Sequence, residues 1–341
     1  MIDPVDVGIV AVYFIGLILI GVWASRKVHS MGDYVVAGRS LGFWVFTMLM
    51  VGSVASGMSL LGVSGLGYNF GWPTIWEQIF VPLSIAFCII FFGAKMNRIA
   101  RASGYMTVQD YLSHRYESPV GLRSLSAMAG IVVSLIYLAG QYTAVSIVLM
   151  WLFGIPHIYA LLIGAAIVTI YTVIGGLYAV AWTTLIQGAI LVSGVVVMAP
   201  LVIAAAGGFE YVNTALATIN PSLVDPWVAS GVFTPTYVVS FSLLLMIGLA
   251  CAPHVINNVL AVKDVNFFRW APIIAFVAYT GVMFLLKFAG FAGKVLVAEG
   301  MIVLPAVKNA SDFIFVEGVE FALPNIYLWG IFGVIVLAAV M

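Results

Sequence analysis

Charge is what this chain has least of. Asp, Glu, Lys and Arg make up 8% of its 341 residues, and 13 basic side chains cancel 13 acidic ones. Soluble domains carry roughly a quarter charged residues, so these few cannot cover the chain's surface in water. The even balance also leaves no basic footprint for nucleic acid. Cysteine is nearly missing: Cys88 and Cys251 both lie in apolar runs, too few and too deep for a disulfide framework. The four histidines, His29, His114, His157 and His254, are scattered without metal-ligand spacing. No GxxxxGK[ST] run cradles a phosphate. Nothing here reads as the catalytic constellation of an enzyme. The opening "MIDPVDVGIVAVYFIGLILIGVW" lacks a basic leader and a small-residue cleavage site, and reads as a retained first span rather than a signal peptide.

What is abundant is apolar surface: 64% of residues are hydrophobic and the mean hydropathy is +1.17. Lipid is therefore the expected solvent, and the chain an all-α polytopic membrane protein, because backbone groups in lipid must be satisfied within each segment. About nine runs approach the roughly 20 residues a spanning helix needs: 6–25, 43–67, 73–93, 124–151, 158–175, 183–206, 236–261, 271–293 and 323–341. They form one transmembrane domain over residues 1–341. Arg26, Lys27, Arg39, Lys95, Arg98, Arg101, Arg115, Arg123, Lys263 and Arg269 fall in one set of loops, against Lys294 and Lys308 in the other. By the positive-inside rule the first set is cytoplasmic and the N-terminus lies outside. The stretch 105–116 carries Thr107 with Asp110 three residues on, a capping-box pattern for a short interfacial helix. Lys287 lies inside a span near its outer end, where snorkelling along its own stem is expected. Glu77, beside Trp72 and Trp76, reads as interfacial.

The run "GSVASGMSLLGVSG" (52–65) sets glycine and serine in the middle of a membrane-length segment. Three readings apply: close helix packing, a bare kink, or a broken helix whose freed backbone binds a solute or ion. A second clue favours the last. "MIGLACAPHVINN" (246–258) is interrupted by Gly248 and Pro253 and followed by His254 and Asn257. Proline removes a helix hydrogen bond and clashes with the preceding turn. The two interrupted spans are five apart, the arrangement of corresponding helices in two inverted repeats.

Four motifs occur in order along the chain: "DYVVAGRSLG" (33–42), "MTVQDYLSHRY" (106–116), "TVIGGLYAVAWTTLIQG" (172–188) and "AVKD" (261–264). Together they resemble the sodium:solute symporter family, with loop spacing and "INPSLVDP" (219–226) most similar to the pantothenate branch. The resemblance implies a LeuT-type five-plus-five inverted repeat with one extra N-terminal helix. The second repeat would be incomplete in this chain. It implies sodium-coupled uptake of a small organic solute across the plasma membrane, a carboxylate such as pantothenate or an amino acid. Sodium would be the coupling ion and no other cofactor is implied. It places sodium on carbonyls at Gly52, Ala55 and Ala339, with two hydroxyl ligands expected just after Met341. These residues alone are therefore expected to insert without transporting. Val54 and Thr184 stand where family members carry aspartates, which implies one ion per cycle or none. Ser53, Ser56, Gly57, Gln141, Gly248, Cys251 and His254 are the candidate solute contacts. For Gln141 a helix–helix hydrogen bond is the other reading, and for His254 a packing or gate role. A membrane sensor module and a non-transporting fragment are the alternative functions.

Overall fold

The computed structural model describes residues 4–56, 58–227, 233–306, 309–324 and 329–340, the side chains of Met58, Ala339 and Val340 excepted. Among them there is no β-strand, only an isolated bridge between Leu41 and Val262. The helices are α1 (Pro4–Ser25), α2 (Met31–Val36), α3 (Phe43–Gly52), α4 (Val63–Phe70), α5 (Glu77–Cys88), α6 (Ala94–Ser103), α7 (Val108–Arg115), α8 (Gly121–Phe153), α9 (His157–Ala205), α10 (Phe209–Ile219), α11 (Pro235–Ala250), α12 (Pro253–Ile256), α13 (Ala271–Ala298), α14 (Ile314–Ala322) and α15 (Trp329–Val340). A π-helical turn, Met58–Gly62, leads into α4, and another, Ile89–Gly93, joins α5 to α6. By length and composition, five described helical segments can cross a membrane, or six with the bent pair 235–250 and 253–261.

Helix lengths explain how the remaining crossings are made. At about 1.5 Å per residue, the 10 residues of α3 reach only halfway through a hydrocarbon core of about 30 Å. The π turn and α4 supply the other half. Conversely, α9 has 49 residues, far too many for one crossing, and turns back at Gly176 with φ of 55°. A side chain there would strain the backbone and collide with Tyr34, whose carbonyl lies 2.7 Å from where a Cβ would stand. The apolar side chains Val12, Ile15, Leu19, Ile131, Leu135 and Ile136 are exposed on the outer faces of α1 and α8, as lipid contact requires.

Helix α13 runs through the core and packs on α4, α5, α9, α10 and α14. Its approach to α4 needs glycine on both sides: a Cβ on Gly67 would sit 2.8 Å from the Lys287 carbonyl, and one on Gly290 would strike the Ser64 backbone. Helix α1 is held at both levels. Gln187 of α9 donates to the Tyr13 hydroxyl at 3.0 Å, and Asp6 accepts the Gly330 N–H at 2.7 Å. On the basic side, Ser30–Asp33 and Thr107–Asp110 form complete capping boxes for α2 and α7. The Ser30 hydroxyl and the His29 N–H hold the Asp33 carboxyl below the usual carboxylate range.

Two expectations fail here. Lys287 does not snorkel: its side chain is fully buried, with Nζ 3.7 Å from Glu77 Oε2. Packing of α4 over the lysine stem closes the route to the surface. Glu77, its partner, is 17% exposed. Cys251 is also not buried: although its run is apolar, it is exposed, whereas Cys88 is buried.

Candidate functional site

Both expected interruptions are present, and each has a local cause. Helix α3 ends at Gly52, whose approach to Thr184 leaves no room for a Cβ. Residues 53–54 make a turn and 55–56 are non-helical before the π turn begins. The tight approach and the break coexist, so packing and unwinding act together in this stretch. The second interruption lies at Cys251–Ala252, where the chain bends by 48°. Ala252 is extended (φ −62°, ψ 133°) and Pro253 opens α12, because a residue before proline is pushed out of the helical region.

The two breaks are tied together on the basic side. Asn258 Nδ2 donates to Ser53 Oγ at 2.6 Å, and that hydroxyl donates to the Leu49 carbonyl at 2.6 Å. Leu41 N–H donates to Ala261 O and Lys263 N–H to Leu41 O. Arg101 donates to the carbonyls of Val262 and Lys263 and to Asn97 Oδ1. Asn257 Oδ1 accepts the first-turn N–H of α7, Val108, at 2.9 Å.

Between the breaks lies a cavity of about 500 Å³. Gly52, Ser53 and Ala55 line one wall, Ser134, Tyr137 and Gln141 another, Thr184, Gln187 and Leu191 a third, and His254, Asn257 and Asn258 the fourth. It extends to Val35, Leu177 and Val180 at the end that carries the basic loops. Toward the other face, Leu60, Leu191, Tyr279 and Leu286 enclose a space with no room for water. The Tyr279 hydroxyl and Ser59 Oγ meet there at 2.8 Å. Among the described residues the lining contains no Asp, Glu, Lys or Arg. Hydroxyls, amides, backbone carbonyls and the His254 imidazole are its polar groups, a set suited to a hard monovalent cation and a polar solute.

Of the sequence candidates, Gly52, Ser53, Ala55, Gln141 and His254 come together on this cavity. Ser56 lies behind it, its N–H donating to Ser59 Oγ at 3.0 Å. Gly57 lies outside the described residues. Ala339 belongs to α15, next to the lining residue Ala338, but its side chain lies outside the described residues. Gly248 and Cys251 are not brought to the cavity; both are exposed on α11 and its end. Their span does break, but one turn past Gly248, so its bend carries them to the outer face while His254 turns in. Ser134, Tyr137, Gln187 and Asn258 are lining residues that sequence reasoning missed. Ser134, Tyr137 and Gln141 are spaced i, i+3 and i+7, one face of a helix, a stripe that could have revealed them.

Tyr137 is central to the cavity. Its hydroxyl donates to the Ala55 carbonyl at 3.2 Å. Its ring stacks on His254 with centroids 5.1 Å apart and planes 22° apart. His254 Nε2 is buried with no partner among the described residues.

Apolar crossings, half-length helices paired end to end and a polar cavity where they meet define a multi-pass membrane protein built around two broken helices. The chain belongs to the sodium:solute symporter family, whose family model matches residues 34–341. It is similar to the sodium/pantothenate symporter of Escherichia coli (strain K12), 28% identical over 292 residues, which are 84% of this chain and 60% of that one. The sodium/pantothenate symporter of Haemophilus influenzae is 28% identical over 273 residues, 80% of this chain and 56% of that one. The osmoregulated proline transporter OpuE of Bacillus subtilis is 26% identical over 259 residues, 75% of this chain and 51% of that one. The chain thus spans 51% to 60% of the length of these relatives. A solved structure of a Na⁺-coupled sialic acid symporter, substrate-bound and outward-open, superposes with a TM-score of 0.75 at 15% identity. It covers 99% of this chain and 72% of that one. At that identity the likeness is one of fold.

Proposed function

We propose that this protein takes up a small organic solute by sodium-coupled symport, through a LeuT-type inverted repeat preceded by the extra helix α1. The first repeat begins at α3 and the second at α11, in a single transmembrane domain set in the plasma membrane with the N-terminus outside. The observation that carries this reading is the cavity at the meeting point of both broken helices. Broken helices at corresponding positions are where transporters bind solute and coupling ion.

Sodium is held by the carbonyls of Gly52, Ala55 and Ala339, and no other cofactor takes part. Ser53, Gln141 and His254 contact the solute; Ser56 lies behind the cavity, and Gly57 lies outside the described residues. The relatives' names point to a carboxylate such as pantothenate or an amino acid such as proline. The cavity's described lining is uncharged, so a carboxylate there draws its compensating charge from the ion itself. With the outer side packed shut and the cavity reaching the basic end, the arrangement is inward-facing.

The test is uptake of labelled pantothenate, proline and a panel of small monocarboxylates into vesicles holding the full-length protein, under an imposed sodium gradient. Sodium-dependent accumulation of one of them is expected. Equal uptake with potassium replacing sodium would sink the reading. Because Val54 and Thr184 supply no carboxylate, uptake should rise with sodium at a Hill slope near one, and a slope approaching two would reveal a second cation site.

A further inference from the structure

Tyr137 touches two parts of the cavity that have different jobs under the proposed function. Its hydroxyl donates to the Ala55 carbonyl at 3.2 Å, at the non-helical end of the first break. Its ring lies flat against His254, 5.1 Å away. His254 stands at the second break, lines the cavity, and presents a buried Nε2 without a partner among the described residues. One rigid aromatic side chain, with no flexible stem to absorb movement, therefore links an oxygen of one break to the ring of the other.

A hydroxyl donor and a cation oppose each other on one carbonyl oxygen. The donated hydrogen carries partial positive charge and takes up one of only two lone pairs. Sodium that ligates Ala55 O is repelled by a hydrogen pointed at the same atom. We infer that Tyr137 is a positioning residue that relays ion occupancy to the solute side of the cavity. Sodium on that carbonyl displaces the phenol oxygen itself, which stands 3.2 Å from Ala55 O, the ring moves with it, and His254 shifts relative to the solute. The relay rests on the proposed assignment of Ala55 O to sodium. It goes beyond that assignment by naming the residue through which ion and solute feel one another, which any coupling free energy requires.

The experiment uses sodium alone as probe, with potassium as control, on purified full-length protein in lipid nanodiscs. Sodium-induced thermal stabilisation gives the binding midpoint. Modification of His254 by diethyl pyrocarbonate, read by mass spectrometry, reports the solute side. In the unaltered protein, sodium and not potassium should change the His254 modification rate. In Tyr137→Phe, which keeps the ring and removes the donor, the sodium midpoint should fall about threefold to tenfold, the worth of one neutral hydrogen bond. The His254 rate should then lose its sodium response. A purely structural role for Tyr137 would lower stability without uncoupling His254 from sodium.

A midpoint within twofold of the unaltered protein, together with a sodium-responsive His254 in Tyr137→Phe, would overturn the relay while leaving the sodium site standing. If the unaltered protein does not distinguish sodium from potassium in either readout, the sodium assignment itself fails. Should Tyr137→Phe fold poorly, 3-fluorotyrosine placed at position 137 keeps the hydroxyl. Its fluorine resonance should move with sodium and not with potassium. A resonance unmoved by sodium that nonetheless stabilises the protein refutes the relay.

Discussion

The cavity and the Lys287–Glu77 pair are two polar places inside the same apolar bundle, built in opposite ways. The cavity holds many polar groups and, among its described lining, no charge. The pair holds one charge of each sign, with α4 packed over the lysine stem. A neutral, roomy site can exchange its occupants, because its carbonyls, hydroxyls and amides accept water, ion or solute in turn. A buried ion pair cannot exchange anything without leaving a charge uncompensated, and that is costly in low dielectric. The first suits a place that must change during a cycle. The second suits a place that holds α5 and α13 together throughout.

The contrast breaks most visibly at the pair. Lys287→Met leaves the Glu77 carboxylate without its partner and should cost about 3–5 kcal/mol in stability. Adding Glu77→Gln should restore most of that loss. Thermal unfolding of the two variants in detergent decides it: a double variant as unstable as the single one would mean that the pairing contributes nothing. Gly52→Val comes next. Its side chain is driven into Thr184, and overpacking of this kind costs about 1–3 kcal/mol. Thr184→Ser should relieve part of it, measured as recovered folded yield and unfolding midpoint.

A smaller effect is expected where the breaks are tied. Ser53→Ala removes the acceptor of the 2.6 Å hydrogen bond from Asn258 and should cost about 1 kcal/mol. A double-mutant cycle with Asn258→Ala should give a coupling energy of similar size, and a coupling near zero would show that the breaks are not joined through this bond. The smallest effect belongs to a carboxylate outside the bilayer. Hydrogen bonds from Ser30 and His29 depress the Asp33 pKa. Its contribution to helix α2 is present above the unfolded-state carboxylate value near 4 and is lost as pH falls through the lower folded-state value. Spin-label mobility on α2 should stay low at neutral pH and rise only in that acid range, whereas Asp33→Asn should show no such step.

The broken helices were legible because their causes are local: glycine and serine weaken a helix, and proline ends one. The capping boxes were legible for the same reason. The Lys287–Glu77 pair was not, since its partners lie more than 200 positions apart in sequence and no local signal tells a snorkelling lysine from a paired one. Tyr137 was missed because an aromatic residue in an apolar span reads as core until a neighbouring break gives its hydroxyl something to do. Gly248 was selected as a helix breaker, yet the constraint that proline places on Ala252 decides where the bend falls.

The turn at Gly176 bears on how the protein is made. Helix α9 carries 49 residues, His157–Ala205, without one Asp, Glu, Lys or Arg. The two crossings on either side of that glycine have no charged linker to mark where one stops and the next begins. The insertion machinery therefore meets a single greasy hairpin, which must enter the bilayer as a pair of strokes. Its orientation is inherited from flanking segments such as the Arg123 end of α8, rather than written in the hairpin itself. A lysine placed at the turn would give the hairpin its own address, and one at the opposite end would set the two instructions against each other during synthesis.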